Sequence, residues 1–453
     1  MKRALVLLAL GGCGDNRPEI EVFEPTNGTR LAIEQYQFDD GTRLVQPTAF
    51  YDRRIHARCT PQEWIDGVIR CVPDAEEAFY RDDTCETLFG RATMKFPTHF
   101  IARDTKDGRP RQLARVFAVG AKSDPIAEYY TRDGVDDEGK PICVGPQTFP
   151  QPEPEGTQYY EIAGEVGGED LVAISETEIG EGRLGLVVRT SDDGALVPLG
   201  FRDRDLDIAC APIPHGDGGA CEPIDAIASA FFTDNTCTQP AILADAEADP
   251  PTVASTRGPG GCRAYHAVMT EPAPRAYRDS GSGCVSVSAP SLRVLPLGPP
   301  VELAQVVRTV DDAPKRRIQR ILASEGDLHV YATRMFDTAT GAECELRKLG
   351  DTLRCVPTEL ASIVRVFLPG CTVERRLAEV PLETCEPVAF AMHDTGETLE
   401  LHALGDLFDQ TAYTLGPFGA CMPYTPTPGT SLHVVGPLLP DDTFIGAVPF
   451  GAR

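Results

Sequence analysis

Cysteine is the residue whose chemistry stands out in this sequence. Fifteen cysteines occur in 453 residues, a density that suits an oxidising compartment rather than a reducing cytosol. Nine of them fall into three matching sets: Cys59, Cys71 and Cys85; Cys210, Cys221 and Cys237; Cys344, Cys355 and Cys371. Within each set the first two are 12, 11 and 11 residues apart, and the third follows after 14, 16 and 16. No Cys-x-x-Cys occurs, so a structural zinc site is disfavoured and a disulfide framework is expected. The first two cysteines of each set flank a turn, Asp66-Gly67, Asp217-Gly218 or Gly350-Asp351. Strands opposed across such a turn bring cysteine Cα atoms within the roughly 4.4–6.8 Å that a disulfide needs. The spacing therefore predicts Cys59–Cys71, Cys210–Cys221 and Cys344–Cys355. The third cysteine must reach further. In the first set Cys143 is the only partner left for Cys85. The second and third sets have two more cysteines each, Cys262 with Cys284 and Cys385 with Cys421. Five is odd, so either one thiol per set is free or a bridge crosses between sets.

Cys13 carries a different chemistry. Met1 to Cys13 reads as basic residues Lys2 and Arg3, an apolar run Ala4 to Leu10, then Leu10-Gly11-Gly12-Cys13. This resembles the lipobox of bacterial lipoproteins, in which the thiol is alkylated and the chain is cut before it. Residues 1–12 are expected as signal peptide, Cys13 as the lipidation site and 13–19 as a tether. The apolar run is too short to span a bilayer. Gly14 after the cysteine resembles the outer-membrane form of the Gram-negative signal.

Other reactive types fit no site pattern. Asp133-Gly134-Val135-Asp136-Asp137-Glu138-Gly139 gathers carboxylates in one turn. They could ligate Ca²⁺, but the spacing is not that of an EF-hand, and a solvated acidic hairpin is the expectation. The eight histidines (56, 99, 215, 266, 329, 393, 402 and 433) match no zinc signature. Ser280-Gly281-Ser282-Gly283 lacks the nucleophile-elbow pattern. Trp64, the single tryptophan, is either a partner anchor or a cap over the first sheet, and the cap is expected. Neither metal nor cofactor is expected. A net charge of −26 with pI ≈ 4.7 makes nucleic acid an unlikely partner. The same charge repels anionic lipid, so membrane attachment needs a covalent anchor.

The elements that position these residues repeat with them. Phe50-Tyr51-Asp52, Phe201-Arg202-Asp203 and Met335-Phe336-Asp337 precede the three sets. Further upstream, Thr29-Arg30-Leu31 with Asp40-Gly41 parallels Gly182-Arg183-Leu184 with Asp193-Gly194, and Arg316-Arg317-Ile318 with Glu325-Gly326. Alternation predicts strands over Arg30–Phe38, Phe50–Cys59, Val68–Val72, Thr98–Asp104, Leu113–Gly120, Leu184–Arg189 and Leu399–Leu404. Helical periodicity is nearly absent. Ile224–Ala230 and Pro240–Ala248 could be short helices or alanine-rich loops.

The chain divides into units 20–168, 169–300 and 301–453, each with a second, divergent half. Two halves in three units predict an all-β, six-bladed propeller-like ring. Three tandem β-sandwich-like domains are the alternative. Phe444–Phe450 resembles the segments that open each unit, Glu19–Glu24, Leu171–Glu176 and Glu302–Arg308. The chain thus ends in the phase where a repeat begins, which a closed ring requires.

The Asp-Gly, Arg-Cys-Val-Pro and Asp-x-x-Cys signature behind a lipobox resembles the uncharacterised cysteine-rich repeat lipoproteins of myxobacteria. The resemblance implies export and a repeated β-fold, and no activity. The expected function is a non-enzymatic cell-envelope lipoprotein, outer-membrane-anchored, whose repeat surface serves a protein or glycan partner. The competing expectation is a hydrolase or lyase with its site in the central channel, which requires polar residues diverging in one unit only.

Overall fold

The computed structural model describes residues 22–450, except 65, 94–96, 107–108, 137–139, 216–217, 225, 247–248, 258–262, 281–282, 289–291, 312–314, 351, 383–387, 395–398, 417–418 and 428–429. Strands fill the described chain and no α-helix occurs in it. Unit 1 opens with β1 (Leu31–Phe38), β2 (Arg43–Asp52), β3 (Ala57–Glu63) and β4 (Ile69–Pro73). It continues with β5 (Glu76–Tyr80), β6 (Leu88–Ala92), β7 (His99–Lys106), β8 (Arg109–Ser123), β9 (Glu128–Val135), β10 (Pro141–Thr148) and β11 (Gln158–Val166). Unit 2 opens with β12 (Ile174–Ile179), β13 (Leu184–Ser191), β14 (Leu196–Asp203), β15 (Ile208–His215) and β16 (Gly218–Pro223). Its second half is β17 (Ile227–Ala228), β18 (Phe231–Phe232), β19 (Pro240–Asp245), β20 (Val253–Arg257), β21 (Arg263–Val268), β22 (Ala276–Asp279), β23 (Cys284–Val287) and β24 (Leu292–Pro300). Unit 3 has β25 (Gln305–Val310), β26 (Ile318–Glu325), β27 (Leu328–Asp337), β28 (Ala342–Leu349) and β29 (Thr352–Pro357). Then follow β30 (Leu360–Phe367), β31 (Glu374–Pro381), β32 (Phe390–Asp394), β33 (Leu399–Leu407), β34 (Tyr413–Leu415), β35 (Cys421–Pro423), β36 (Thr430–Leu438) and the terminal β37 (Gly446–Phe450).

The three first halves hydrogen-bond edge to edge into one 15-stranded sheet, running from β12 to β16, β25 to β29, β37, and β1 to β4. Its two ends meet: the Cys71 amide donates to Val172 O at 3.0 Å and Arg70 bridges to Ala173. The same joint occurs at the other two seams, Cys221 N to Ala304 O at 2.9 Å and Cys355 N to Ile445 O at 3.1 Å. The ring is closed by the last strand, since β37 pairs with β29 on one side and β1 on the other. Residues 446–450 therefore supply the opening strand of unit 1. Of the segment expected to do so, Glu19–Glu24, only residues 22–24 are described, and Phe23 to Asn27 runs elsewhere and ties the units together. Phe23 N donates to His329 O, Thr26 pairs with Leu196, and Asn27 Oδ1 accepts from Ile33 N.

Each second half curls into a five-stranded barrel. In unit 1 the order is β5, β6, β11, β8, β7, closed by a parallel pairing of β7 with β5. Unit 3 repeats it as β30, β31, β36, β33, β32, with β32 parallel to β30. Unit 2 does the same with its first strand broken into β17 and β18. The hairpins β9–β10, β22–β23 and β34–β35 lie at the end of each barrel sheet. The described strands therefore form four sheets, one shared ring and three barrels, where the repeat count suggested six separate blades. The reason is hydrogen bonding at the seams, where each ring segment offers an unpaired edge to the next.

Two sequence expectations change locally. The run Phe50–Cys59 is not one strand; it turns at residues 53–56, with His56 at φ 53°. Pro240–Asp245, weighed as helix or loop, is a barrel strand with Ala241, Ile242 and Ala244 buried. Alanine there admits close packing against β24, a tertiary reason that propensity does not carry.

Candidate functional site

The Arg and Asp of each repeat form a clasp. Arg30 Nε and Nη2 donate to Asp52 at 2.8 and 2.5 Å. Arg183 binds Asp203 and Arg317 binds Asp337 in the same way. All three aspartates are fully buried. Each arginine also donates from Nη2 to a carbonyl just before the next ring segment: Asp170 O, Glu302 O and Thr443 O, at 2.6, 2.6 and 2.7 Å. A planar guanidinium with its donors in a fork serves carboxylate and carbonyl together, which lysine could not.

A second contact runs the other way round the ring. Asp193 Oδ2, in the β13–β14 turn, accepts from the amides of Arg30 and Leu31 at 2.6 and 2.7 Å. Asp40 Oδ2, in the β1–β2 turn, accepts from Ile318 N at 2.7 Å. Burial raises the Asp193 carboxyl, but hydrogen bonds from Ser191 and these amides outweigh it and hold it below the ordinary value. Gly41 and Gly194, at φ 83° and 93°, let these turns close.

The structure contains six disulfides among the described residues. Cys59–Cys71, Cys210–Cys221 and Cys344–Cys355 staple the ring hairpins, with Cα separations of 5.2, 5.1 and 5.2 Å. Cys85–Cys143, Cys237–Cys284 and Cys371–Cys421 tie the loop after the first barrel strand to the outer hairpin. The last two pairs were open from sequence; Cys262 and Cys385 lie outside the described residues, as does Cys13. Cys85, Cys237 and Cys371 all adopt φ between 52° and 55°. Asp82 and Asp234 accept several loop amides there and are held well below the usual carboxylate range. Such a disulfide set belongs to an extracytoplasmic protein. No described helix is long and apolar enough to cross a membrane.

At the pseudo-threefold axis, β2, β14 and β27 touch one another. Pro47, Pro198 and Ala332 meet there around a small cavity of about 60 Å³, covered by Phe23 and Pro25. Among its polar members, Arg320 pairs with Glu24 and lies 3.6 Å over the Tyr331 ring, and Arg43 lies over the Phe450 ring.

A second cavity lies in unit 1. It is an open cleft of about 540 Å³ between ring and barrel, lined by Arg54, His99, Glu165, Asp170 and small apolar side chains. Arg54 pairs with Asp170, and Arg115 grips Glu165 with two hydrogen bonds. Arg115 holds the Glu165 carboxyl below its ordinary value against the opposing effect of burial. His99 is 6% exposed and its Nδ1 has no hydrogen-bond partner among the described residues. Burial pushes the imidazole below its ordinary 6.5, while the nearby Asp52 carboxylate pulls the other way.

Register identifies the counterparts. Val116, Tyr265 and Leu401 pack equivalently between ring and barrel, and the pairings of β7, β20 and β32 then align His99 with Val253 and Phe390. Units 2 and 3 carry histidine one position further along, across the barrel pair: His266 and His402 face Gly298 O and Gly436 O at 3.2 Å, where unit 1 has Phe117. Arg54 corresponds to Asp205 and Ala339, whose amides bond the clasp aspartate alike. Asp170 corresponds to Glu302 and Thr443 by the clasp carbonyl. The paired charges and buried imidazole thus occur together only in unit 1. The sequence alone gives His99 no role, because its neighbours in the cleft lie on ring and barrel segments far apart in the chain.

Trp64 is buried with Val72, Ile101, Val116 and Leu171 at the ring–barrel junction, as a cap. Asp133 and Asp136 lie at the β9–β10 hairpin, with Asp137 to Gly139 outside the described residues. No metal-binding group of three occurs among the described residues. Ser280 donates to Gly283 O within the β22–β23 turn.

One protein-family model matches residues 6–444; it is described as a family of unknown function, DUF7481. No curated protein and no solved structure matches the chain.

Proposed function

The chain belongs to that family of unknown function, and we propose a non-catalytic cell-envelope protein, anchored at the outer membrane by lipid on Cys13 as its N-terminal sequence suggests, that holds a rigid threefold surface for binding or structural roles. The carrying observation is the axis. Where three units meet, Pro47, Pro198 and Ala332 pack together, and the charged side chains of the small cavity are engaged by neighbours: Arg320 by Glu24, and Arg43 over the Phe450 ring. That supports a scaffold over a central-channel hydrolase or lyase. Rigidity comes from staples at every level: ring disulfides, barrel disulfides, and clasps that cross each seam. Outward display repeats as well, since Val144, Val285 and Met422 each follow the hairpin cysteine and each is exposed. Growth with an alkyne fatty acid tests the anchor. Wild type should take up the label and sediment with outer membranes; Cys13→Ser should stay unlabelled and soluble. Unlabelled wild type would refute the anchor.

A further inference from the structure

We propose that the unit 1 cleft is a binding site for a neutral, hydroxyl-rich ligand, a short glycan segment. This deepens the binding role proposed above and is independent of the lipid anchor. Three observations carry it. First, the cleft's polar groups depart from threefold symmetry together. Units 2 and 3 have Val253 and Phe390 in place of His99. They have Asp205 with Glu302, and Ala339 with Thr443, in place of Arg54 with Asp170. Ring and barrel therefore assemble without these groups, and packing does not require them. Second, His99 lines the cleft while 6% exposed, and its Nδ1 has no hydrogen-bond partner among the described residues; His402 of unit 3 also has an unpartnered ring nitrogen, but its Nδ1 meets Gly436 O. Third, the cleft is an open groove of about 540 Å³ in which Arg54, Thr98, His99, Glu165 and Asp170 converge over small apolar walls, room enough for a short extended ligand.

Charge selects the ligand class. Arg54 is matched by Asp170 and Arg115 by Glu165, so the cleft offers donors and acceptors with no net charge. A free anion would meet a chain of net charge −26, and a free cation would find both carboxylates already paired. A hydroxyl group costs neither pair its partner: it accepts from a guanidinium and donates to a carboxylate lone pair, or bonds the imidazole in either sense.

Saturation-transfer NMR on the full mature protein tests this, with N,N′,N″-triacetylchitotriose and maltotriose as neutral probes and citrate and putrescine as charged controls. Signal transfer to at least one trisaccharide is expected, with none to the controls. His99→Val and Arg54→Ala, which install the residue types of units 2 and 3, should each weaken binding at least tenfold while far-UV circular dichroism stays unchanged. Absence of trisaccharide binding, binding of the controls instead, or unchanged affinity in both variants would overturn the site. New reducing ends appearing during incubation would support the site and overturn the non-catalytic reading, so the two fail separately.

Discussion

At the residue scale, stability should concentrate in the clasps. Removing one partner of a buried pair leaves an uncompensated charge, which costs about 3–5 kcal/mol when burial is complete. Here the aspartates are buried but the arginines are partly exposed. Asp203→Ala is therefore expected to cost about 3 kcal/mol, read as a lower guanidinium midpoint at unchanged slope. Its neighbour Asp205, 70% exposed, should change stability by no more than about 0.5 kcal/mol on the same substitution. His99 gives a pH signature. Its folded value is lowered from 6.5, so the unfolded chain takes up a proton first on acidification. The stability it permits is complete above 6.5 and declines as pH falls toward the folded value. Thermal melts from pH 8 to 5 should show this decline in wild type, and His99→Val should flatten it.

At the element scale, the terminal strand and the barrel staples matter for different reasons. β37 hydrogen-bonds on both edges, so ending the chain after Ile445 exposes β1 and β29 together. Hydrogen exchange should then lose protection at Gln35, Gln37 and Leu353, while the β19 amides of the second barrel stay protected. A truncated chain with full protection at β1 would show that the ring closes without its last strand. The disulfides divide by loop length. Closing 58 residues, as Cys85–Cys143 does, is worth about 4 kcal/mol in the chain-entropy model, and closing 12, as Cys59–Cys71 does, about 3 kcal/mol. Burial reverses the order, because Cys59 and Cys71 are wholly buried in a ring cluster, and replacing them with alanine adds a cavity cost. The Cys59→Ala/Cys71→Ala protein is expected to melt lower than Cys85→Ala/Cys143→Ala.

At the scale of the whole molecule, the ring makes its units interdependent. Asp193 of unit 2 caps the start of β1, Asp40 of unit 1 caps the start of β26, and residues 446–450 complete unit 1. Unit 1 lacks one of its own ring strands and the aspartate caps cross unit boundaries, so the ring should unfold as one cooperative body. Six disulfides use twelve of the fifteen cysteines. Protein unfolded in guanidinium without reductant should therefore titrate no more than three thiols. A higher count would contradict the pairing and the extracytoplasmic assignment that follows from it.

The sequence by itself determined the local and periodic features: all-β structure, three units, the hairpin turns and the cysteines that flank them, and a terminal segment in phase with a repeat opening. These are legible because turn chemistry and short cysteine spacings act over a dozen residues, where sequence order and spatial order coincide. Only the tertiary structure decided how the edges join. Backbone donors and acceptors look alike in every strand, so nothing in composition distinguishes separate blades from one 15-stranded ring with three barrels. The barrel disulfides Cys237–Cys284 and Cys371–Cys421 were likewise open, since odd cysteine counts leave pairing undetermined until the chain folds back. The unit 1 cleft was hidden for the same reason: Arg54, His99, Glu165 and Asp170 become neighbours only when a ring turn, a barrel face and a seam are brought together.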